Sequence, residues 1–113
     1  MSIFISIASF CDSVLFFTLE QAVKKAKYPN QLHFGIVDQS YLNSRHPAPA
    51  DVFPARLTSI TIDPSQARGP CWARNVAMSL YDNEDWFFQI DSHMDFKQDW
   101  DSYLVEQATE LQK

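Results

Sequence analysis

The run Trp86-Phe87-Phe88-Gln89-Ile90-Asp91-Ser92-His93 turns from apolar to polar within one residue, and the architecture can be read outward from that change. Its first five residues have the length and the aromatic and β-branched character of a buried strand. Along a strand, residues two apart point to the same face, so Asp91 and His93 project together where the strand ends. A carboxylate beside an imidazole suits a divalent ion such as Mn²⁺. In open α/β sheets, ligands bind beyond the carboxyl ends of the strands. The same eight residues therefore point to a sheet and to the end of it that binds. Taken alone, the tripeptide Asp91-Ser92-His93 fits a polar turn leaving the core better than a metal site.

Upstream, Gly69-Pro70 opens a helix, because proline is favoured in a first turn. Trp72, Val76, Ala77 and Leu80 lie on its apolar side, and Tyr81-Asp82-Asn83 ends it. Leu57–Ile62 reads as a strand halted by Asp63-Pro64. Tyr41–Pro54 is a loop, broken by Pro47, Pro49 and Pro54. Leu32–Val37 is a second strand, closing at Asp38-Gln39, and Ile3–Phe10 is the first. Between them Asp12 or Ser13 caps a helix with Val14, Phe17, Leu19, Ala22 and Ala26 as its stripe. Lys24, Lys25 and Lys27 crowd its end, where they complement the helix dipole, and Tyr28-Pro29-Asn30 stops it. Downstream, a helix runs from Gln98 or Asp99 to Leu111, with Trp100, Tyr103, Leu104, Ala108 and Leu111 on its apolar side.

The order β-α-β-loop-β-α-β-α predicts an α/β domain, a mostly parallel sheet in the order 3-2-1-4 flanked by helices with right-handed crossovers. The expectation is one Rossmann-like domain over residues 1–113, the nucleotide-binding half of a larger fold and truncated at the C-terminus. Such a half leaves apolar surface and a free sheet edge, which predicts a homo-oligomer.

Composition narrows the partners. With 113 residues and 46% hydrophobic content, the chain has one core. A formal charge of -5 argues against nucleic acid, whose phosphates demand a basic surface. A mononucleotide remains open, since one diphosphate needs only a metal and one or two cations. No apolar run approaches the ~20 residues of a membrane span. The apolar start, Met1–Phe10, has no basic region ahead of it and reads as a strand, not a signal peptide. Two cysteines make no disulfide framework, so reduced thiols and a cytoplasmic setting are expected. Cys11 and Cys71 read as packing residues, and His33 and His46 as structural.

Ala67-Arg68-Gly69-Pro70-Cys71-Trp72-Ala73-Arg74-Asn75, followed after a short helix by Trp86–Met94, resembles the GT-A-fold glycosyltransferases. The similarity is to those that add N-acetylglucosamine to hydroxyproline in cytoplasmic proteins and, more distantly, to the polypeptide N-acetylgalactosaminyltransferases, which share an Asp-x-His motif. The resemblance implies a UDP-sugar donor, UDP-N-acetylglucosamine foremost, transfer with retention, a Mn²⁺-type ion on the diphosphate, and a protein or glycan acceptor. By motif position, Asp91 and His93 match the metal ligands and Arg74 an arginine beside the nucleotide. Ala8, Ser9 and Phe10, with Asp38 and Gln39, match positions that hold uridine. No catalytic base is assigned.

Each candidate has a plainer reading from its own residues. Arg74 serves a phosphate or base, or pairs with a surface acid. Arg68 serves the same anion or faces solvent, and backbone N–H groups from Gly69 onward can help hold it. Asp38 contacts ligand or caps a turn. Gln39 bonds a base or caps the loop, and Asp95 assists the metal or solvates a turn. Beside a glycosyltransferase, a non-catalytic nucleotide- or metal-binding module fits the same residues. A phosphohydrolase needs more strand-end carboxylates than Asp38 and Asp91 to build a two-metal site.

Overall fold

In the computed structural model, residues 2–12, 15–40, 54–91 and 95–111 are described. Four strands, β1 (Ile3–Phe10), β2 (Leu32–Gln39), β3 (Arg56–Ile62) and β4 (Trp86–Ile90), form one sheet in the order β3-β2-β1-β4. Every pairing is parallel: Ile3 faces Leu32 and Phe10 faces Gln39 across β1–β2, Ile3 faces Trp86 and Ile7 faces Ile90 across β1–β4, and His33 faces Arg56 across β2–β3. The helices are α1 (Leu15–Lys25), α2 (Pro70–Met78) and α3 (Trp100–Leu111). This is the predicted α/β architecture, and all four strands end on the same side.

The period-2 alternation of β1 and β2 sorts the core into two layers. Ile3, Ile5, Ile7, Leu32, Phe34 and Ile36 pack with Leu15, Leu19 and Ala22 of α1 and with Phe96 and Trp100. On the opposite face Val37 packs with Ala73 and Ala77 of α2, with Ala8, Ile62, Trp72 and Val76 around them. Polar contacts seat α3 against the end of α1. Trp100 Nε1–H donates to Ala22 O at 2.7 Å, and Asp99 N–H to Lys25 O at 2.7 Å. The buried Asp101 carboxylate accepts from Lys27 N–H at 2.8 Å and Tyr28 N–H at 2.9 Å.

Far from the carboxyl ends, the Phe4 ring is fully buried among His33, Tyr81 and Phe87, with centroids 5.1, 5.6 and 5.4 Å away. That ring lies directly over Gly35. A Cβ there would stand 2.5 Å from Phe4 Cε2 and nearer still to Cζ, so only glycine fits. His33, buried, hydrogen-bonds Glu84 Oε1 at 2.6 Å through Nδ1 and Thr58 Oγ1 at 2.8 Å through Nε2. The expected structural role of His33 is thus met by a buried pair joining β2 to the segment that enters β4. His46, Ser13, Val14 and most of the Tyr41–Pro54 loop lie outside the described residues.

Several side chains depart from the predicted stripes. Phe17 of α1 and Tyr103 of α3 are each 61% exposed, and Leu111 is more so. α1 instead buries Leu15 and Thr18 beside Leu19 and Ala22, and α3 turns Leu104 and Val105 inward. The helices pack over a sheet of only four strands, and these side chains lie off the faces turned to it. Cys11 and Cys71 are free and exposed, not packed. Cys11 follows the strand with φ 52°, and Cys71 sits on the outer side of the first turn of α2. Among the described residues, no helix is long and apolar enough to cross a membrane.

Candidate functional site

The parallel register brings the predicted residues to one rim. Ser9 faces Asp38 and Phe10 faces Gln39 across β1–β2. Asp91 follows directly on β4, on the other side of β1. Asp38 and Asp91 are thus two strand spacings apart, roughly 10 Å, at the same end of the sheet. His93 lies outside the described residues.

A cavity of about 320 Å³ opens over the ends of β1 and β2 on the α2 side. Ala8, Phe10, Gln39, Ala67, Gly69, Pro70, Ala73 and Arg74 line it. Five of the nine residues predicted to hold nucleotide are therefore in one wall. Local sequence explains the placement. The 3-10 turn Pro64–Gln66 is capped by Asp63, whose carboxylate accepts from Ser65 N–H at 2.9 Å. The chain then reverses at Gly69, whose φ of 92° lies in the region glycine tolerates. Pro70 starts α2 beyond it, and Arg74 comes one turn later, beside the first free N–H groups of the helix. The volume is at the small end of ligand pockets.

Arg74 is exposed, and among the described residues it makes no ion pair or hydrogen bond. The surface pairing that could have explained it is not formed there. Arg68 likewise has no partner among the described residues, but it lines a neighbouring groove with Trp72 and Gln66, meeting the first cavity at Ala67. Gln39 is committed in part: its side-chain amide donates to Ser9 O at 3.0 Å, and its backbone carbonyl accepts from Cys11 N–H at 2.8 Å. These bonds hold the ends of β1 and β2 together.

Ser9 and Asp38 point to the opposite face from the cavity, toward α1, as alternation requires. Ser9 is 1% exposed and Asp38 8%. The Ser9 hydroxyl has no hydrogen-bond partner, and the Asp38 side chain has none among the described residues. Ser9 and Asp38 thus lie side by side at the carboxyl ends of β1 and β2. Asp91 is exposed, and among the described residues its carboxylate is also unpaired.

Sequence reading missed Pro70 and Ala73 as cavity walls. Their signal was the Gly-Pro-x-x-Ala-Arg pattern itself, in which the small Ala73 lets α2 approach Val37 closely.

Comparison with known proteins agrees with this arrangement. No curated protein and no solved structure matches significantly. The profile of the family described as Glycosyltransferase (GlcNAc) matches residues 2–58 and 50–113, taking in both the strand ends and the Asp-x-His segment. With its parallel sheet, its rim of open polar groups and that match along nearly its whole length, the chain belongs to the Glycosyltransferase (GlcNAc) family.

Proposed function

We propose that this chain is the donor-binding part of a retaining, metal-dependent GT-A glycosyltransferase, taking UDP-N-acetylglucosamine at the carboxyl ends of β1, β2 and β4. The observation that carries the reading is the gathering of Ala8, Phe10, Gln39, Gly69 and Arg74 around one cavity at the carboxyl ends of β1 and β2, with Arg74 unpaired among the described residues. Asp38 accepts a hydrogen bond from the nucleoside and Ser9 completes it. Phe10, 60% exposed at the cavity, offers a ring face to the base. Arg74 and the first N–H groups of α2 receive the diphosphate, a charge-assisted contact at a helix start. Arg68 adds positive charge at the neighbouring groove.

The Asp91 carboxylate is unpaired among the described residues and placed at the strand end, where a ligand to a hard cation is expected, and His93 follows two residues later in the sequence. A divalent ion held by these two would offset the charge of the departing diphosphate. In the transfer itself, the bond from the anomeric carbon to the β-phosphate oxygen breaks with its electrons going to UDP. A new bond forms to an acceptor hydroxyl oxygen, whose proton passes to the departing β-phosphate oxygen. The acceptor is a protein or glycan, the setting cytoplasmic, and the family resemblance supports both. A homo-oligomer is supported by Tyr81 and Phe87, both exposed, with ring centroids 5.9 Å apart at the edge strand β4.

Calorimetric titration of UDP and UDP-N-acetylglucosamine, with and without Mn²⁺, tests the reading. Binding should require the ion, Asp91→Ala should remove that requirement, and Arg74→Ala should weaken binding roughly 10-fold or more, the worth of a hydrogen bond to a charged group. UDP affinity in the parent that does not fall in chelator, or that Mn²⁺ raises equally in the parent and in Asp91→Ala, would sink it.

A further inference from the structure

Among the described residues β4 pairs only with β1, so its far side is a sheet edge. Trp86 N–H donates to Ser2 O at 3.1 Å. Trp86, and by alternation Phe88 and Ile90, therefore turn their backbone groups toward β1. Phe87 and Gln89 turn theirs outward, each presenting one N–H and one C=O along the edge. A row of such groups is a template for another strand. Edges are normally blunted with charge or proline, and Trp86-Phe87-Phe88-Gln89-Ile90 has neither.

The outward groups repeat about Phe88, which makes this edge its own complement. Antiparallel pairing with a second copy, on a two-fold axis at Phe88, sets Phe87 opposite Gln89 of the other copy and the reverse. Residues opposed in this way exchange both of their N–H···O bonds, so every outward group of the two finds a partner. Trp86, Phe88 and Ile90 share the face that carries α1 and α3. On it Phe88 meets Phe88 and Trp86 meets Ile90, at the closely spaced positions of the ladder where aromatic and branched side chains stabilise each other. Shifting the register by two residues would set Gln89 against Asp85 or Phe87 against Asp91.

Space beside the strand fits the same occupant. A cavity of about 490 Å³ opens on the α1–α3 face, with Ile90, Phe96, Trp100 and Leu104 in its wall. The pairing brings Trp86 of the second copy opposite Ile90, with Cβ atoms about 5 Å apart, at the edge of that cavity. An indole there covers apolar surface that a single chain leaves in water. We infer that two copies of this chain join antiparallel through β4, forming one sheet that runs through both. The inference rests on the homo-oligomer reading above, to which it gives an interface, and not on the donor reading. At each end of the paired segment Asp85 of one copy faces Asp91 of the other, a repulsion that salt screens.

Sedimentation velocity of the full chain over a wide concentration range tests this. The parent should form dimers, and added sodium chloride should tighten them about 2-fold or more. Gln89→Pro removes an outward N–H and no bond to β1, a place where an edge strand accepts proline. It should weaken the dimer about 10-fold or more, the worth of the two hydrogen bonds lost per dimer. Circular dichroism checks that the variant is folded. Amide exchange in the parent, followed by NMR, decides the interface even if it is not: Phe87 and Gln89 N–H groups should exchange more slowly as the dimer fills. A parent that stays monomeric at every concentration overturns the homo-oligomer reading and this inference with it. A dimer that persists in folded Gln89→Pro, that loosens in salt, or whose Phe87 and Gln89 amides exchange as fast as in the monomer overturns the β4 interface alone.

Discussion

Replacing Asp38 by Asn should move stability and ligand affinity in opposite directions. Asp38 is 8% exposed and, among the described residues, its side chain has no hydrogen bond or ion pair. A buried carboxylate without a partner loses hydration and gains nothing in return, a cost of several kcal/mol when complete. The residual exposure lets some hydration remain, and asparagine still carries unsatisfied polar atoms. The expected gain from neutralising the charge is therefore about 1 kcal/mol. In a domain near this size that raises the melting temperature by roughly 4–8 °C. The ligand pays the opposite sign. A hydrogen bond to a charged group contributes about 1.5–3 kcal/mol, so UDP affinity should fall roughly 10- to 150-fold. Differential scanning fluorimetry with and without UDP and Mn²⁺ reads both effects on one sample. The free variant should melt higher than the parent, and the ligand-induced rise should shrink or vanish. A variant that melts lower and binds UDP normally would refute the reasoning and make Asp38 a turn cap.

Two further outcomes follow from the packing. Gly35→Ala drives a methyl group into the Phe4 ring and should lower the unfolding free energy in urea by about 1–3 kcal/mol, with partial recovery when Phe4→Leu is added. Asp101→Asn weakens the acceptor of the Lys27 and Tyr28 N–H groups and should cost about 1–3 kcal/mol, with amide exchange rising first in α3 and not in β1 or β2. Uniform exchange across the sheet would contradict the local role given to Asp101.

The order of elements, the strand order β3-β2-β1-β4 and the rim that carries Asp38 and Asp91 were all legible along the chain. Each depends on information held within a few residues. Alternation in Ile3–Phe10, the Gly69-Pro70 helix start and the change from Ile90 to Asp91 are local signals, and right-handed crossover restricts how local pieces can assemble. The Arg74 helix was legible for the same reason, since Pro70 sets where its first turn begins and so where the arginine projects.

Tertiary packing decided which of those side chains are covered, which are paired and where space is left. Phe17, Tyr103 and Leu111 have the composition of core residues, yet are exposed, because a four-stranded sheet cannot cover the full apolar side of each helix. The Phe4 ring above Gly35 joins neighbours on two strands, and the His33–Glu84 pair joins residues 51 apart in sequence. Nothing near either residue announces its partner. The lack of a hydrogen-bond partner for the buried Ser9 hydroxyl, and the cavity between Ile90 and Tyr103, depend on every atom that does or does not arrive from elsewhere in the fold. Periodicity specifies which way a side chain points, whereas partners and empty space are properties of the packed whole.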